Sequence, residues 1–275
     1  MLHVTDQMGR NITLPARPQR IVSLVPSITE LLFDLGLGNE VVGVTRFCVH
    51  PEQARQTARN MGGTKKIHHD RIAALQPDLI IGSKEENTPE DIERLWHTYP
   101  VWMSDVKTIS EGIAMIVQIG ELCRRPSEAQ HMAQEIEADF DKLKSSIVGQ
   151  PNIRAAYLIW HKPMMVCGTN NFIGDVMRAM GLHNVFDGHF GGRDGTPRYP
   201  AITAEELAVS NADVVLLSSE PFPFKDEHIQ HYQTLLPHST VTKVDGELFS
   251  WYGSRMAKMP GYLRGLRGKL QERLP

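Results

Sequence analysis

The chain has 275 residues, 41% of them hydrophobic and 22% charged, with a formal net charge of −3 at pH 7. That length suits one large domain or two lobes of roughly 100–150 residues each, and the composition is that of an ordinary globular protein. So small a charge gives no basic field to hold nucleic acid or an anionic membrane, and no apolar run approaches the roughly 18–20 residues that span a bilayer.

The first ten residues, MLHVTDQMGR, hold no signal-peptide core. Two expectations follow: a cytoplasmic chain, or a periplasmic or cell-surface one whose leader has been removed. "RIVSLVPS" (20–27) is a short apolar run of strand type, and "ITELLFDLGLGN" after it is helical, with Gly36 at the stop. "TRFCVHP" (45–51) packs Phe47, Cys48 and His50 together, which suggests a metal, a nucleophile or a ligand pocket. In "RIAALQPDLIIGS" (71–83) a short helix leads through Asp78 into a buried strand. "TPEDIERL" (88–95) opens a helix with Thr88 as cap, Pro89 first and Glu90 next.

Residues 110–147 are helix-rich, with a break expected at Arg125-Pro126-Ser127, Ser127 capping and Glu128 in the first turn. The second part, about 20 residues, would extend roughly 30 Å at 1.5 Å per residue. That makes a stiff connector, unlike a Gly/Ser linker.

The N-terminal pattern then repeats. "RAAYLIWH" (154–161) matches the first strand run, and "NFIGDVMRAMGLHN" matches the first helix, with Gly181 at the stop. "TAEELAVS" (203–210) opens a helix with Thr203 as cap and Glu205 in the place of Glu90, and "ELAVSNADVVLLSS" (206–219) passes through Asp213 into a second buried strand. The offsets are about 134, 145 and 135 residues. Three elements recurring in one order predict two lobes of one βα design, each with a mainly parallel sheet. The expected organisation is an N-terminal Rossmann-like lobe over 1–108, linking helices over 109–150 and a C-terminal Rossmann-like lobe over 151–275.

Ligands of open α/β sheets bind beyond the carboxyl ends of the strands. The segments there are 25–30, 45–51 and 83–90, then 160–168, 191–200, 218–227 and 249–256. They carry Phe47, Trp160, Tyr199, Phe222, Phe224, Trp251 and Tyr252. Aromatic side chains in normally polar loops point to a cleft that stacks on a large, partly flat ligand; packing at a lobe interface is the competing explanation. The chain has no G-x-S-x-G, H-E-x-x-H, P-loop or G-x-G-x-x-G motif. His68, His69 and His161 read as solvated or core-satisfied. Glu90 and Glu205 are explained by helix dipoles or as one exposed carboxylate per lobe that docks a symmetric partner.

"VTDQMGRNITLPARPQRIVSLVPSITELLFDLGLGNEVVGVT" followed by "IAALQPDLII" resembles the substrate-binding proteins that feed ABC importers for cobalamin, haem and iron–siderophores, nearest to the cobalamin-binding members. The resemblance covers essentially the whole chain. It implies two Rossmann-like lobes bridged by one long helix, a ligand cleft between them, no enzymatic activity and no intrinsic cofactor. The bound ligand would be cobalamin or another cobalt or iron chelate, and the partner an ABC permease dimer met by a monomer.

It also implies cleft aromatics at Phe47, His50, Trp160, Tyr199 and Trp251, with Tyr252 beside them. Lys84, Lys162, Arg198 and Arg255 would orient the ligand. His50 or Cys48 would reach the ligand's metal, unless His50 only stacks and Cys48 packs as a small apolar residue. Glu205 and, standing in for Pro89, Glu90 would meet the permease. Ser83 takes the place of a family tryptophan. Two rival readings remain at this level: a cytoplasmic corrinoid, haem or metal carrier or sensor, and a metal-dependent enzyme using Cys48, His50 and Glu85 or Glu86.

Overall fold

The computed structural model describes residues 1–189 and 197–274; residues 191–196 of the predicted loop 191–200 lie outside that range. The chain divides into two compact units. The first comprises Met1–Val106, Ser110–Glu137 and Trp251–Ala257, the second Lys107–Ile109, Ala138–Ser250 and Lys258–Pro275.

The first unit begins with a hairpin of β1 (Leu2–Thr5) and β2 (Asn11–Leu14). Then follow β3 (Ile21–Ser23), α1 (Pro26–Asp34), β4 (Val41–Val44), α2 (Glu52–Thr57), β5 (Arg59–Asn60), α3 (His69–Leu75), β6 (Leu79–Ser83), α4 (Pro89–Trp96) and β7 (Val101–Ser104). The sheet has the order β5-β4-β3-β6-β7 and is parallel throughout. Parallel neighbours need crossover helices, and strands covered on both faces are near-continuous apolar runs, as in the fully buried LIIGS of β6, where only Ser83 is polar. Val22, Leu24, Ile72, Ile80 and Leu95 build the core on one face.

Two long helices follow, α5 (Ile109–Leu122) and α6 (Pro126–Ser146). The unit boundary falls inside α6, between Glu137 and Ala138. The expected break at 125–127 is present, but Ser127 does not cap. α6 starts at Pro126, and the Arg125 carbonyl accepts its first bond from Ala129 N at 3.1 Å. Proline fits that first position because its missing N–H would have no partner there anyway.

The second unit contains β8 (Ile153–Trp160), β9 (Met165–Val166), α7 (Phe172–Ala179), β10 (Leu182–Asn184), α8 (Ala204–Val209), β11 (Val214–Ser218), α9 (Asp226–Leu235), β12 (Thr240–Val244) and α10 (Glu247–Ser250), and it ends in α11 (Met259–Gln271). Its sheet runs β10-β8-β11-β12 in parallel, with β9 antiparallel on β8. Leu158, Leu207, Val215, Leu217 and Tyr232 lie in its core.

Trp251–Ala257 departs from the predicted boundary. It was expected inside a lobe spanning 151–275, and it packs within the first unit. The cause is a buried ion pair between Arg255 and Glu30 together with a hydrogen bond from Tyr252 to Ser83.

Candidate ligand-binding faces

In the first unit, the loop after β4 folds back under its own backbone. Cys48 is fully buried, and its Sγ lies 3.1 Å from the Thr29 hydroxyl and 3.2 Å from the Thr45 hydroxyl. Burial pushes the thiol pKa up, so it stays protonated. This corrects its assignment as a metal ligand, which needs an accessible thiolate. Its neighbours face outward: Phe47 is 46% exposed, with the Arg46 guanidinium 4.7 Å from its ring centre. His50 packs edge-on against Trp251 at 5.6 Å.

Three more predicted contacts prove to be buried, and Trp251, expected to line the cleft, is one of them at 8% exposure. Tyr252 donates its hydroxyl to Ser83 Oγ at 2.9 Å, and burial drives its pKa upward. Arg255 donates to both carboxylate oxygens of Glu30, at 2.7 and 2.9 Å, and its guanidinium lies 4.8 Å from the Trp251 ring centre. Neither reaches outward to orient a ligand; both hold the segment that carries Trp251. Lys84 is half-exposed and pairs with Asp105 at 3.0 Å. Glu86, on the same loop, has its carboxyl pKa raised by burial first and by Glu85 second.

In the second unit, Trp160 ends β8 with 36% of its surface exposed; its Nε1 donates to the Lys162 carbonyl at 3.0 Å, and Phe222 packs on it at 5.6 Å. β8 and β11 flank the point where the strand order reverses, the usual crevice of such sheets. Lys162 is exposed.

Behind Trp160 lies His161, whose Nδ1 is 2.9 Å from the Tyr232 hydroxyl. The rings of His228 and His231 stand 4.8 and 5.6 Å from it. Burial, then His228, Lys162 and His231, hold the His161 pKa below its ordinary value, and burial pushes the Tyr232 phenol up to about 12. Arg198 and Tyr199 are half-buried; the Arg198 carbonyl accepts from Gly168 N at 2.9 Å and Asn171 Nδ2 at 3.2 Å, which ties this segment to the capped start of α7. A separate recess of about 340 Å³, lined by Lys107, Asn171, Asp175, Arg178 and His183 among others, contains none of the predicted ligand residues.

Among the described residues, no group of three or more His, Cys, Asp or Glu side chains is placed to hold a metal ion. Among them, too, no helix is long and apolar enough to cross a membrane.

The two acids expected to be equivalent are not. Thr88 and Thr203 both cap as predicted, the latter in a reciprocal box with Glu206. But α4, which bears Glu90, follows β6, whereas α8, which bears Glu205, precedes β11. The element that precedes β6 is α3, and its second residue is Asp70, exposed like Glu205. What the two acids share is the Thr cap of their helices, not a place in the βα order. The signal that finds Asp70 is the 135-residue offset that also relates Asp78 to Asp213.

A family model described as "Periplasmic binding protein" matches residues 21–244. A vitamin B12-binding protein of Vibrio campbellii is 29% identical over 202 residues, covering 73% of this chain and 70% of the relative. One of Pectobacterium carotovorum is 23% identical over 209 residues, covering 75% and 73%. Among solved structures, the periplasmic vitamin B12-binding protein of Vibrio cholerae superposes with a TM-score of 0.80 at 22% identity, covering 94% of this chain and all of that one. A periplasmic haem-binding protein of Pseudomonas aeruginosa does so with a TM-score of 0.75 at 20% identity, covering 94% of each. At these identities the structural likenesses establish the fold alone. The chain belongs to the periplasmic binding protein family, whose members capture a ligand rather than transform one.

Proposed function

We propose that this protein captures a large metal-containing chelate and delivers it to the permease of an ABC importer, on the periplasmic or cell-surface side of the membrane. Cobalamin is the first cargo to test, and haem or an iron–siderophore the next. The observation that carries this reading is the aromatic surface on each unit: exposed Phe47 with part-exposed His50, backed by the buried Trp251, in the first, and exposed Trp160 with half-buried Phe222 in the second. Flat conjugated rings gain from such faces through burial and stacking. Tyr199, Arg198, Lys162 and Lys84 supply polar reach around them. His50 is the residue proposed to approach the cargo's metal, since its imidazole is part-exposed and Cys48 is not. The named B12-binding relatives support cobalamin as the first choice.

The test is a titration with cyanocobalamin, hemin and a ferric siderophore, read by tryptophan quenching and the visible spectrum. Submicromolar cyanocobalamin binding that weakens at least tenfold, about 1.4 kcal/mol, in Trp160→Ala supports the cargo. Binding of none of the three sinks it.

For the partner, Glu205 and Asp70 are the proposed docking acids, one at the start of the same helix in each unit. The Glu205 carboxyl is held below its ordinary pKa by its own backbone N–H and the Thr203 hydroxyl, so it stays charged. Combined Asp70→Lys and Glu205→Lys substitutions should slow association with the permease and leave ligand affinity untouched. Unchanged association would remove both from the interface.

A further inference from the structure

We infer that Glu30 is a positioning residue of the first unit's ligand face: acting through Arg255, it fixes the Trp251 ring beside His50. This rests on the ligand-binding reading above for its functional consequence, and on geometry alone for the placement.

The two residues are 225 positions apart in the chain, yet their side chains are only 8–9% exposed and joined by two bonds of 2.7 and 2.9 Å. A buried ion pair of this kind adds little stability over an apolar pair of equal volume. What it adds is a defined orientation. The planar fork of arginine takes both carboxylate oxygens while its flat face meets an aromatic ring, and here that ring is Trp251, 4.8 Å away.

Glu30 lies on α1, whose backbone also shapes the incoming segment. Gly253 has φ +109°, and a Cβ there would stand 3.3 Å from the Ser27 carbonyl oxygen. That sharp turn lets the segment lie against α1, where Arg255 meets Glu30. On the other side, Tyr252 is anchored to Ser83 at the end of β6. Trp251 is thus held by Arg255 over its ring, by the anchored neighbour Tyr252 and by the His50 ring packed at a steep angle to it. Its indole, only 8% exposed, is held in one pose as the support of the part-exposed His50 before any ligand arrives, which spares the ligand the cost of ordering that face.

The test uses the full-length protein labelled with 5-fluorotryptophan at its four tryptophans, 96, 102, 160 and 251. Arg255→Lys keeps the charge and loses the fork. The expected result is a shifted and broadened Trp251 fluorine resonance while the other three hold. Arg10→Lys is the control, because Arg10 lies 3.5 Å over Trp96 and should move that resonance alone. Glu30→Gln should act like Arg255→Lys to a smaller degree, and a thermal melt of each variant establishes that it is folded.

In a cyanocobalamin titration, Arg255→Lys should weaken binding about tenfold, yet weaken it no further in a Trp251→Ala background. An unmoved Trp251 resonance in both variants, or an equal loss of affinity in both backgrounds, overturns the inference. A moved resonance in a protein that binds neither cyanocobalamin nor hemin nor a ferric siderophore would sink the cargo reading instead and leave the placement standing.

Discussion

The two units solve one folding problem with the same device at the sheet's amino edge and different devices elsewhere. In the first, Asp78 at the head of β6 accepts the backbone N–H groups of Gln19 and Arg20, at 2.8 and 2.9 Å, and the Arg20 guanidinium returns to the Leu75 carbonyl. In the second, Asp213 at the head of β11 accepts Arg154 N at 2.9 Å, and the Arg154 guanidinium returns to the Asn211 carbonyl. Even the left-handed residue before the aspartate recurs, as Gln76 with φ 46° and Asn211 with φ 51°. The difference lies on the helix that follows the first strand. Glu30 and Asp175 hold the same place in α1 and α7, each five residues before its helix C-cap. Glu30 meets Arg255 in the interior, whereas Asp175 meets Arg178 one turn away, with the arginine 66% exposed. A shared framework thus carries a buried clamp in the first unit and a pair with a solvent-exposed arginine in the second.

The sharpest way to break that contrast is to remove the cation on each side. Arg255→Met removes the guanidinium from a buried carboxylate and should cost about 3–5 kcal/mol. Arg178→Met should cost at most about 1 kcal/mol, as exposed ion pairs do. Urea unfolding of the two variants measures both, and equal losses would mean that the Glu30–Arg255 pair is hydrated in solution.

A smaller effect tests the shared device. Asp78 takes two backbone N–H bonds and Asp213 one, so Asp78→Ala should lower the urea midpoint more than Asp213→Ala. The losses expected are about 2–3 and 1–2 kcal/mol, the range of bonds to a charged acceptor. The reverse order would mean that the Arg154 contacts, not the aspartate, secure the second sheet.

The helix stops come next. Gly36 and Gly181 both have positive φ, at 72° and 74°. At Gly36 the bonds from Gly36 N to Phe33 O and Leu37 N to Leu32 O complete a Schellman cap. Alanine at either should cost about 1–2 kcal/mol for the left-handed backbone. Gly181 should cost more, because a Cβ there would sit 3.2 Å from Ile147 Cδ1 and 3.4 Å from an Arg267 nitrogen, whereas Gly36 has open space. Thermal melts of the two variants rank them.

Much of this duplication was visible in the residues themselves. Local devices leave local marks: a glycine after a helix, an aspartate before an apolar run, a threonine three residues before an acid. Those marks placed the strands, the helix stops and the paired Asp78 and Asp213. What escaped reading depends on distance in the chain. Nothing near Glu30 announces Arg255, so the residues around Trp251–Ala257 carry no local sign that this segment packs in the first unit or that Arg255 pairs there. Cys48 looked reactive beside His50 because Thr29, which helps satisfy it, lies 19 residues away. Asp70 was missed because α3 is capped by His68 without a side-chain bond, and so lacks the Thr signature that drew attention to Glu90.

The last contrast is chemical. Where the first unit's switch-point strand β3 runs into Val25 and Pro26, the second unit's β8 runs into His161 and a cluster with His228, His231 and Tyr232. His161 is held below its ordinary pKa, so the folded state favours its neutral form. The unfolded chain, near 6.5, takes up the proton first as pH falls. The stability contributed by the neutral ring is therefore complete above about pH 6.5 and declines as pH drops below that towards the folded-state value. Protonation would place positive charge beside Lys162 and His228, with Phe222 and Phe224 packed around the ring. Because Phe222 also packs on Trp160, the ligand face should loosen along with the cluster. The expected outcome is a lower thermal midpoint and altered near-ultraviolet dichroism at pH 5 relative to pH 7.5, with a smaller pH difference in His161→Gln. An identical pH difference in that variant would assign the acid sensitivity to groups outside this cluster and leave the two units alike in their response to protons.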